Sequence, residues 1–213
     1  MKKSALMLTL SVIVGLLTVC QWEINDSVKI RDGEKLGSGR TAVNGNVFVG
    51  SDCEVRGTLR AVNGTVRIGS GSVVGSLQAV NGGIGMEENV KVRGSVRAVN
   101  GPVMSEEGVE VEGAITAANG SVELYRTHAG RDIVTYNGDI ILQNGCLVEG
   151  SLIIKRSKGS DGWKETLQII LDGSVVRGDV NIMDKRVKVK LILRGESRIE
   201  GKIINAEVIK APE

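Results

Sequence analysis

The sequence predicts an all-β fold, a single-stranded parallel β-helix (solenoid) with about 18–19 residues and three short strands per turn. The first observation is a repeat, because Asn-Gly pairs recur at intervals of 18 or 19 residues. The second is a period of two, since the segments between these pairs alternate apolar and polar residues, as strands with one buried face do. The third is composition: glycine contributes 29 of 213 residues and aromatic residues only 2%. The core must therefore consist of small aliphatic side chains.

Each turn contains three alternating segments, represented by Val66–Ile68, Val90–Gly94 and Val96–Ala98. Every segment is too short for a helix, and Gly or Asn-Gly separates it from the next. Three strands per turn describe a triangular prism whose turns stack about 4.8 Å apart. We expect about nine turns, from about residue 27 to about residue 209, with a length of about 45 Å.

The Asn-Gly pairs are expected to form one corner of the prism. Both residues tolerate left-handed backbone angles, which suit a tight corner. A spacing of one turn places the asparagines above one another, so their amides can form a ladder of hydrogen bonds. A ligand-binding row is the alternative interpretation. The predicted ladder comprises Asn44, Asn63, Asn81, Asn100, Asn119 and Asn137.

Residues 1–20 are predicted to be an export signal. Two lysines precede an uncharged apolar run that is slightly short for a membrane span. The run ends in Leu17-Thr18-Val19-Cys20, which resembles a bacterial lipobox, and this resemblance implies that Cys20 is lipidated. Cleavage after Cys20 and an uncleaved anchor are the alternatives. The predicted location is the periplasm or cell envelope.

Three segments follow the signal. Residues 21–154 hold the regular repeats, residues 155–165 are expected to be an exposed loop, and residues 166–213 to form irregular coils with a basic strand. Residues 21–152 carry 12 Lys and Arg against 16 Asp and Glu, whereas residues 153–213 carry 13 against 9. An acidic body therefore precedes a basic end.

Glu87, Glu88, Glu106 and Glu107 are the candidate cation site. Their spacing places them at one corner of adjacent turns, about 5 Å apart, where four carboxylates repel unless a cation or solvent intervenes. Calcium binding and the acid pair of a carbohydrate-cleaving enzyme are the functional interpretations. In the second, Arg97 is the candidate basic catalyst. A solvated acidic corner is the simpler interpretation.

His128 is the one histidine of the chain and lies in a divergent turn. It is the candidate catalytic residue if the protein is a left-handed, hexapeptide-type acyltransferase, an alternative that the 19-residue turns disfavour. Cys53 and Cys146 occupy positions where other turns carry valine, five turns apart. A separation of about 24 Å excludes a disulfide, so we expect two buried thiols. The sequence predicts no metal cluster and no cofactor.

The stretch from Lys185 to Leu193 is predicted to be a strand with Arg186, Lys188 and Lys190 on one face. This face suits anionic envelope polymers or lipid headgroups. An edge strand protected by its charges is the alternative. Nucleic-acid binding is not expected, because no aromatic residues are interleaved with the basic ones.

The repeated pattern AVNG-x-V-x-I, with V-x-G-S-V between copies, resembles bactofilin-type polymer-forming proteins and the related adhesin-type β-strand-repeat proteins. The resemblance covers about residues 27–152. It implies a right-handed β-helix that associates end to end into nucleotide-free scaffolding filaments. The export signal fits the envelope-associated repeat proteins better. We therefore expect a non-enzymatic, exported scaffold or adhesion and interaction module that self-associates through its end coils. The alternatives are the acyltransferase and a calcium-dependent carbohydrate-active enzyme.

Overall fold

The computed structural model describes residues 22–23, 26–155 and 166–210. The predicted export signal with Cys20 and all of the predicted loop except Lys155 lie outside the described residues. Within the described part, regular structure is exclusively β, and no helix there could cross a membrane.

Short strands follow one another along the described chain. In chain order they are β1 (Trp22–Glu23), β2 (Val28–Ile30), β3 (Lys35–Leu36), β4 (Arg40–Ala42), β5 (Val47–Val49), β6 (Glu54–Ala61), β7 (Val66–Ile68), β8 (Val73–Ala79), β9 (Ile84–Met86), β10 (Lys91–Val92), β11 (Val96–Ala98), β12 (Val103–Ser105), β13 (Glu110–Val111), β14 (Ile115–Ala117), β15 (Val122–Tyr125), β16 (His128–Ala129), β17 (Ile133–Thr135), β18 (Ile140–Gln143), β19 (Leu147–Val148), β20 (Leu152–Ile154), β21 (Thr166–Asp172), β22 (Val175–Val176), β23 (Val180–Ile182), β24 (Lys188–Arg194), β25 (Arg198–Ile199), β26 (Ile203–Ile204) and β27 (Glu207–Lys210).

The strands stack in parallel on three faces. The first face is a sheet of ten described strands: β2, β5, β7, β9, β12, β15, β18, β21, β24 and β27. The second face runs from β3 to β25 and the third from β1 to β26, joined because β6 and β8 continue around the corner between them. This confirms the predicted β-solenoid with three strands per turn and about nine turns.

The turns are even up to β20 and uneven beyond it. On the first face, paired residues are 18 or 19 positions apart from Val28 to Ile140. The next steps are 29, 22 and 17 positions, to Ile169, Leu191 and Val208. Residues 156–165, which are not described, fall within the 29-residue step.

The core is a stack of small aliphatic side chains along the prism axis. Residues that alternate inward are buried, and near the Asn-Gly corner of the third face they are alanines that are at most 1% exposed. Small side chains are needed there because three chain segments converge inside one narrow turn. The stacked alanines are Ala42, Ala61, Ala79, Ala98 and Ala117.

The predicted reason for glycine at the Asn-Gly corner was wrong. The residues with positive φ do not include these pairs. Glycine is required because the stacked backbones come very close: a Cβ added at Gly64, Gly101 or Gly138 would overlap the carbonyl group of the glycine one turn earlier. Most left-handed residues lie at the corner after the first-face strands, for example Gly33 (φ 72°) and Asp52 (φ 55°), and the exceptions are Gly57 and Asn205.

Candidate functional site

The Asn-Gly corner carries an amide ladder. In each link the side-chain nitrogen of one asparagine donates to the side-chain oxygen of the asparagine one turn earlier, at 2.8 or 2.9 Å. The linked residues are Asn44, Asn63, Asn81, Asn100 and Asn119. Asn137, the sixth predicted member, is not part of it, and its side-chain oxygen is buried without a partner among the described residues. The asparagine side chains of the ladder therefore form hydrogen bonds with one another, as the structural interpretation of the repeat predicts.

The glutamates of the acidic corner interact with different neighbouring residues and not with one shared group. Glu87 accepts hydrogen bonds from the backbone nitrogen and hydroxyl of Ser70, at 3.2 and 3.1 Å, and Glu107 forms an ion pair with Arg126. Among the described residues, no group of three or more His, Cys, Asp or Glu side chains could hold a metal ion. Arg126 lies 19 positions after Glu107, so the repeat itself could have revealed this pairing.

His128 lies on β16 and belongs to a network of charges on the second face. Its Nε2 is 3.3 Å from Oε1 of Glu149, whose other oxygen accepts from Arg177 at 2.7 Å. The His128 side chain is 43% exposed. This arrangement gives the imidazole an anionic neighbour on an open surface.

Lys91 anchors a second set of ion pairs on the same face. Its ammonium lies 3.1 Å from Glu110 and 3.1 Å from Glu112. The hydrogen bonds to Glu110 and then Glu112 raise the pKa of Lys91 above its usual value. These contacts link adjacent turns from outside the core.

The candidate residues for carbohydrate cleavage, the glutamates of the acidic corner and Arg97, lie in two different surface cavities. Glu87 and Glu106, together with Met104 and Tyr125, line a cavity of about 390 Å³ on the first face. Arg97 lines another, of about 440 Å³, on the third face. The structure therefore does not bring Arg97 together with the acidic corner. Sequence reasoning missed the first-face cavity, which opens where Gly85 interrupts a row of outward side chains.

Cys53 and Cys146 are buried and free, as the spacing predicted. Burial is the largest cause that raises the pKa of the Cys146 thiol. A buried thiol with a raised pKa is a poor nucleophile at neutral pH.

The basic strand is shorter than predicted. Arg186 lies in a turn before β24, where its guanidinium binds Asp184 at 2.8 and 2.9 Å. Lys188 and Lys190 remain exposed on β24. The edge-strand alternative is wrong, because β24 pairs with β21 on one side and β27 on the other.

In the described part of the chain, the core is partly exposed at the C-terminal end of the prism. Ile203 and Val208 occupy inward positions, since they pair with the buried residues Val180 and Leu191 one turn earlier. Nevertheless, Ile203 is 40% exposed and Val208 is 44% exposed. Among the described strands, β25, β26 and β27 each pair on one side only. We call β25, β26 and β27 the end coil.

At the N-terminal end of the prism, the inward residues of the first face are buried. Val28, which lies in the same inward column as Val208, is 4% exposed, and Ile30 beside it is 5% exposed. Leu36, the inward residue of β3, is half-buried, and β1, β2 and β3 each pair on one side only among the described strands, as the strands of the end coil do. The ends therefore differ in their side chains: Val28 and Ile30 are enclosed, whereas Ile203 and Val208 face solvent.

No family model, curated protein or solved structure matches this chain. The candidate sites therefore rest on the geometry of this chain.

Proposed function

We propose that this is a non-enzymatic, exported β-helix protein that acts as a cell-envelope scaffold or as an adhesion and interaction module, and that it binds through its end coil. The observation that carries the proposal is the exposure of Ile203 and Val208 at inward positions. Large apolar side chains that face the core axis gain stability only when something covers them.

The backbone of the end coil supports the same proposal. In every earlier turn the next turn completes the hydrogen bonds of each strand, but the end coil has no such neighbour among the described strands. Free strand edges pair with other strands, and a partner that adds a strand satisfies the backbone and covers the apolar residues together.

The rest of the chain supports a scaffold role. About nine hydrogen-bonded turns form a body about 45 Å long, whose ends can hold partners apart. The apolar run before Cys20 supports export, and the resemblance to bactofilin-type and adhesin-type repeat proteins supports a structural role. Exposed Lys188 and Lys190 support contact of the first face with anionic envelope polymers or lipid headgroups.

The test compares end-coil variants with a variant in the middle of the prism. The full chain, Ile203→Lys and Val208→Lys are expressed in a bacterium, and cell fractions are cross-linked and sized. We expect the unmodified chain in envelope-fraction assemblies that both substitutions disrupt. Met104→Lys is the control, because Met104 is 49% exposed but lies on the first face far from the end coil.

Retention in the cytoplasm, or assemblies that neither end-coil substitution affects, would contradict the proposal. A discrete trimer would instead favour the acyltransferase alternative and make His128 the next residue to replace.

A further inference from the structure

We propose that the partner of the end coil is a second copy of this chain, joined end coil to end coil about a two-fold axis, so that assembly stops at a dimer. This inference rests on the proposed function, because it names the partner of the same surface.

The two ends of the prism decide the symmetry. Head-to-tail stacking would place exposed Ile203 and Val208 against a first turn in which Val28 and Ile30 are already 4 and 5% exposed. Stacking two end coils covers four exposed apolar side chains at once. An interface that uses the same patch on both subunits closes upon itself, whereas a head-to-tail interface continues as a filament.

The triangular cross-section allows such an axis. A two-fold axis perpendicular to the prism, through the middle of β27 and the opposite corner at Gly201, superimposes the triangle on itself with its strands reversed. It places β27 antiparallel to β27 of the second copy, and β25 antiparallel to β26 of the second copy. All three faces then continue across the interface as sheets.

The register follows from burial. Residues directly opposite in an antiparallel pair point to the same side of the sheet. Inward Ile199 therefore lies opposite inward Ile203 of the second copy, and Val208 lies opposite Val208 of the second copy.

This register also matches charge. With Ile199 opposite Ile203, Glu200 lies opposite Lys202 of the second copy, and the symmetry repeats the pair. Glu200 and Lys202 are both exposed. Within its own coil, Oε1 of Glu200 lies 3.2 Å from Arg198, which leaves a carboxylate able to bridge two cations. The end coil is thus complementary to itself at its inward isoleucines, at Val208 and at the Glu200–Lys202 pairs, whereas inward Lys210 lies opposite Ala206 of the second copy.

The interface is small. Each copy contributes three short strands, well below the area of a standard stable interface, so we expect a dimer that dissociates on dilution. Such an equilibrium makes the effect of single charges measurable.

The test is a charge exchange measured by sedimentation equilibrium on the full chain in a non-ionic detergent. We expect a monomer–dimer equilibrium for the unmodified chain. Glu200→Lys and Lys202→Glu should each weaken dimerisation at least tenfold, and the double variant should restore it. An equimolar mixture of the two single variants should also dimerise, because it sets two lysines of one chain against two glutamates of the other. Arg67→Glu, in the middle of the first face, should change nothing.

Three outcomes would overturn the inference: filaments whose mass grows with concentration, a dimer that is insensitive to the charge exchange, or a monomer at every concentration. If the chain is monomeric while the end-coil substitutions still abolish envelope assemblies, the proposed function stands with a different partner. If those assemblies are also insensitive, both fail.

Discussion

The turns from β2 to β20 and the coils from β21 to β27 use the same parallel stacking, but they differ in how well they enclose their cores. In the first region the inward aliphatic residues, apart from half-buried Leu36 in the first turn, are at most 5% exposed, and the turns are evenly spaced. In the second region the spacing varies between 17 and 29 residues, and Ile203 and Val208 are exposed. Even spacing keeps every residue above its equivalent, so each turn covers the one before it.

The residues on the outward side of the first face also differ between the two regions. Between β7 and β15 its central row contains Arg67 and Glu123, whereas from β18 onward it contains only isoleucine. The stacked isoleucines are Ile141, Ile170, Ile192 and Ile209. The regular region therefore carries charged residues on the outward side of its first face. In the C-terminal coils that side becomes apolar towards the exposed end coil.

The largest expected effect compares one substitution at two levels of the same column. Ile133 and Ile203 both face inward on the third face, but Ile133 is 0% exposed and Ile203 is 40% exposed. Ile133→Ala should lower the free energy of unfolding by about 4 kcal/mol and Ile203→Ala by about 1 kcal/mol, because only the first leaves a cavity in a closed core. Urea denaturation of dilute, monomeric protein measures both. Equal losses would show that the end coil is as well enclosed as the regular turns.

The second effect concerns the close approach of the backbones in the regular turns. Gly101→Ala places a methyl group against the backbone of Gly82 and should cost about 3 kcal/mol. Gly85→Ala is the matched control, because its methyl group would meet nothing within 4 Å, and it should change the stability by less than about 0.5 kcal/mol. The same urea titration measures both variants. A tolerated Gly101→Ala would contradict the steric explanation for the Asn-Gly corner.

The third effect marks where the amide ladder stops. Asn81→Ala removes one hydrogen bond to Asn63 and one from Asn100, and should cost about 2 kcal/mol. Asn137→Ala should cost less than about 0.5 kcal/mol, because its oxygen has no partner among the described residues. Thermal unfolding of the two variants measures the difference in stability. A larger loss of stability for Asn137→Ala than for Asn81→Ala would show that the ladder extends to Asn137.

The smallest effect is the pH dependence from Lys91. Its pKa is raised in the folded state, so its contribution to stability is fully present below its usual pKa of 10.5 and is lost as the pH rises through the folded value. The melting temperatures of the unmodified chain and Lys91→Met should therefore differ at pH 8 and converge as the pH rises through the raised pKa of Lys91 in the folded state. Lys29→Met serves as the control, because no contact of Lys29 with an acidic side chain is described. A gap for Lys91→Met that persists at high pH would show that the lysine acts by packing.

The repeat made the architecture predictable, because one interval of 18 or 19 residues specifies both the turn and the vertical neighbours of each residue. The same interval predicted the links from Asn44 to Asn119, and it could have predicted the Glu107–Arg126 pair. It could not show why the Asn-Gly corner needs glycine, since close backbone approach and positive φ leave the same residue in the sequence. It also could not show that the end coil is open, because adjacent apolar residues in β26 (Ile203-Ile204) and β27 (Val208-Ile209) do not indicate from the sequence which of them faces inward.

Cross-linking tests the central claim, that the exposed inward residues of the end coil meet those of a second copy, most directly. In a chain carrying Cys20→Ser, Val208→Cys places the new thiol opposite its symmetry mate at a distance that a disulfide can span. Val28→Cys is the control, because Val28 lies in the same column of the first turn but is buried. Mild oxidation, read on a non-reducing gel, should give a covalent dimer with Val208→Cys and a monomer with Val28→Cys. Covalent dimers from both variants, or from Val28→Cys alone, would contradict the account.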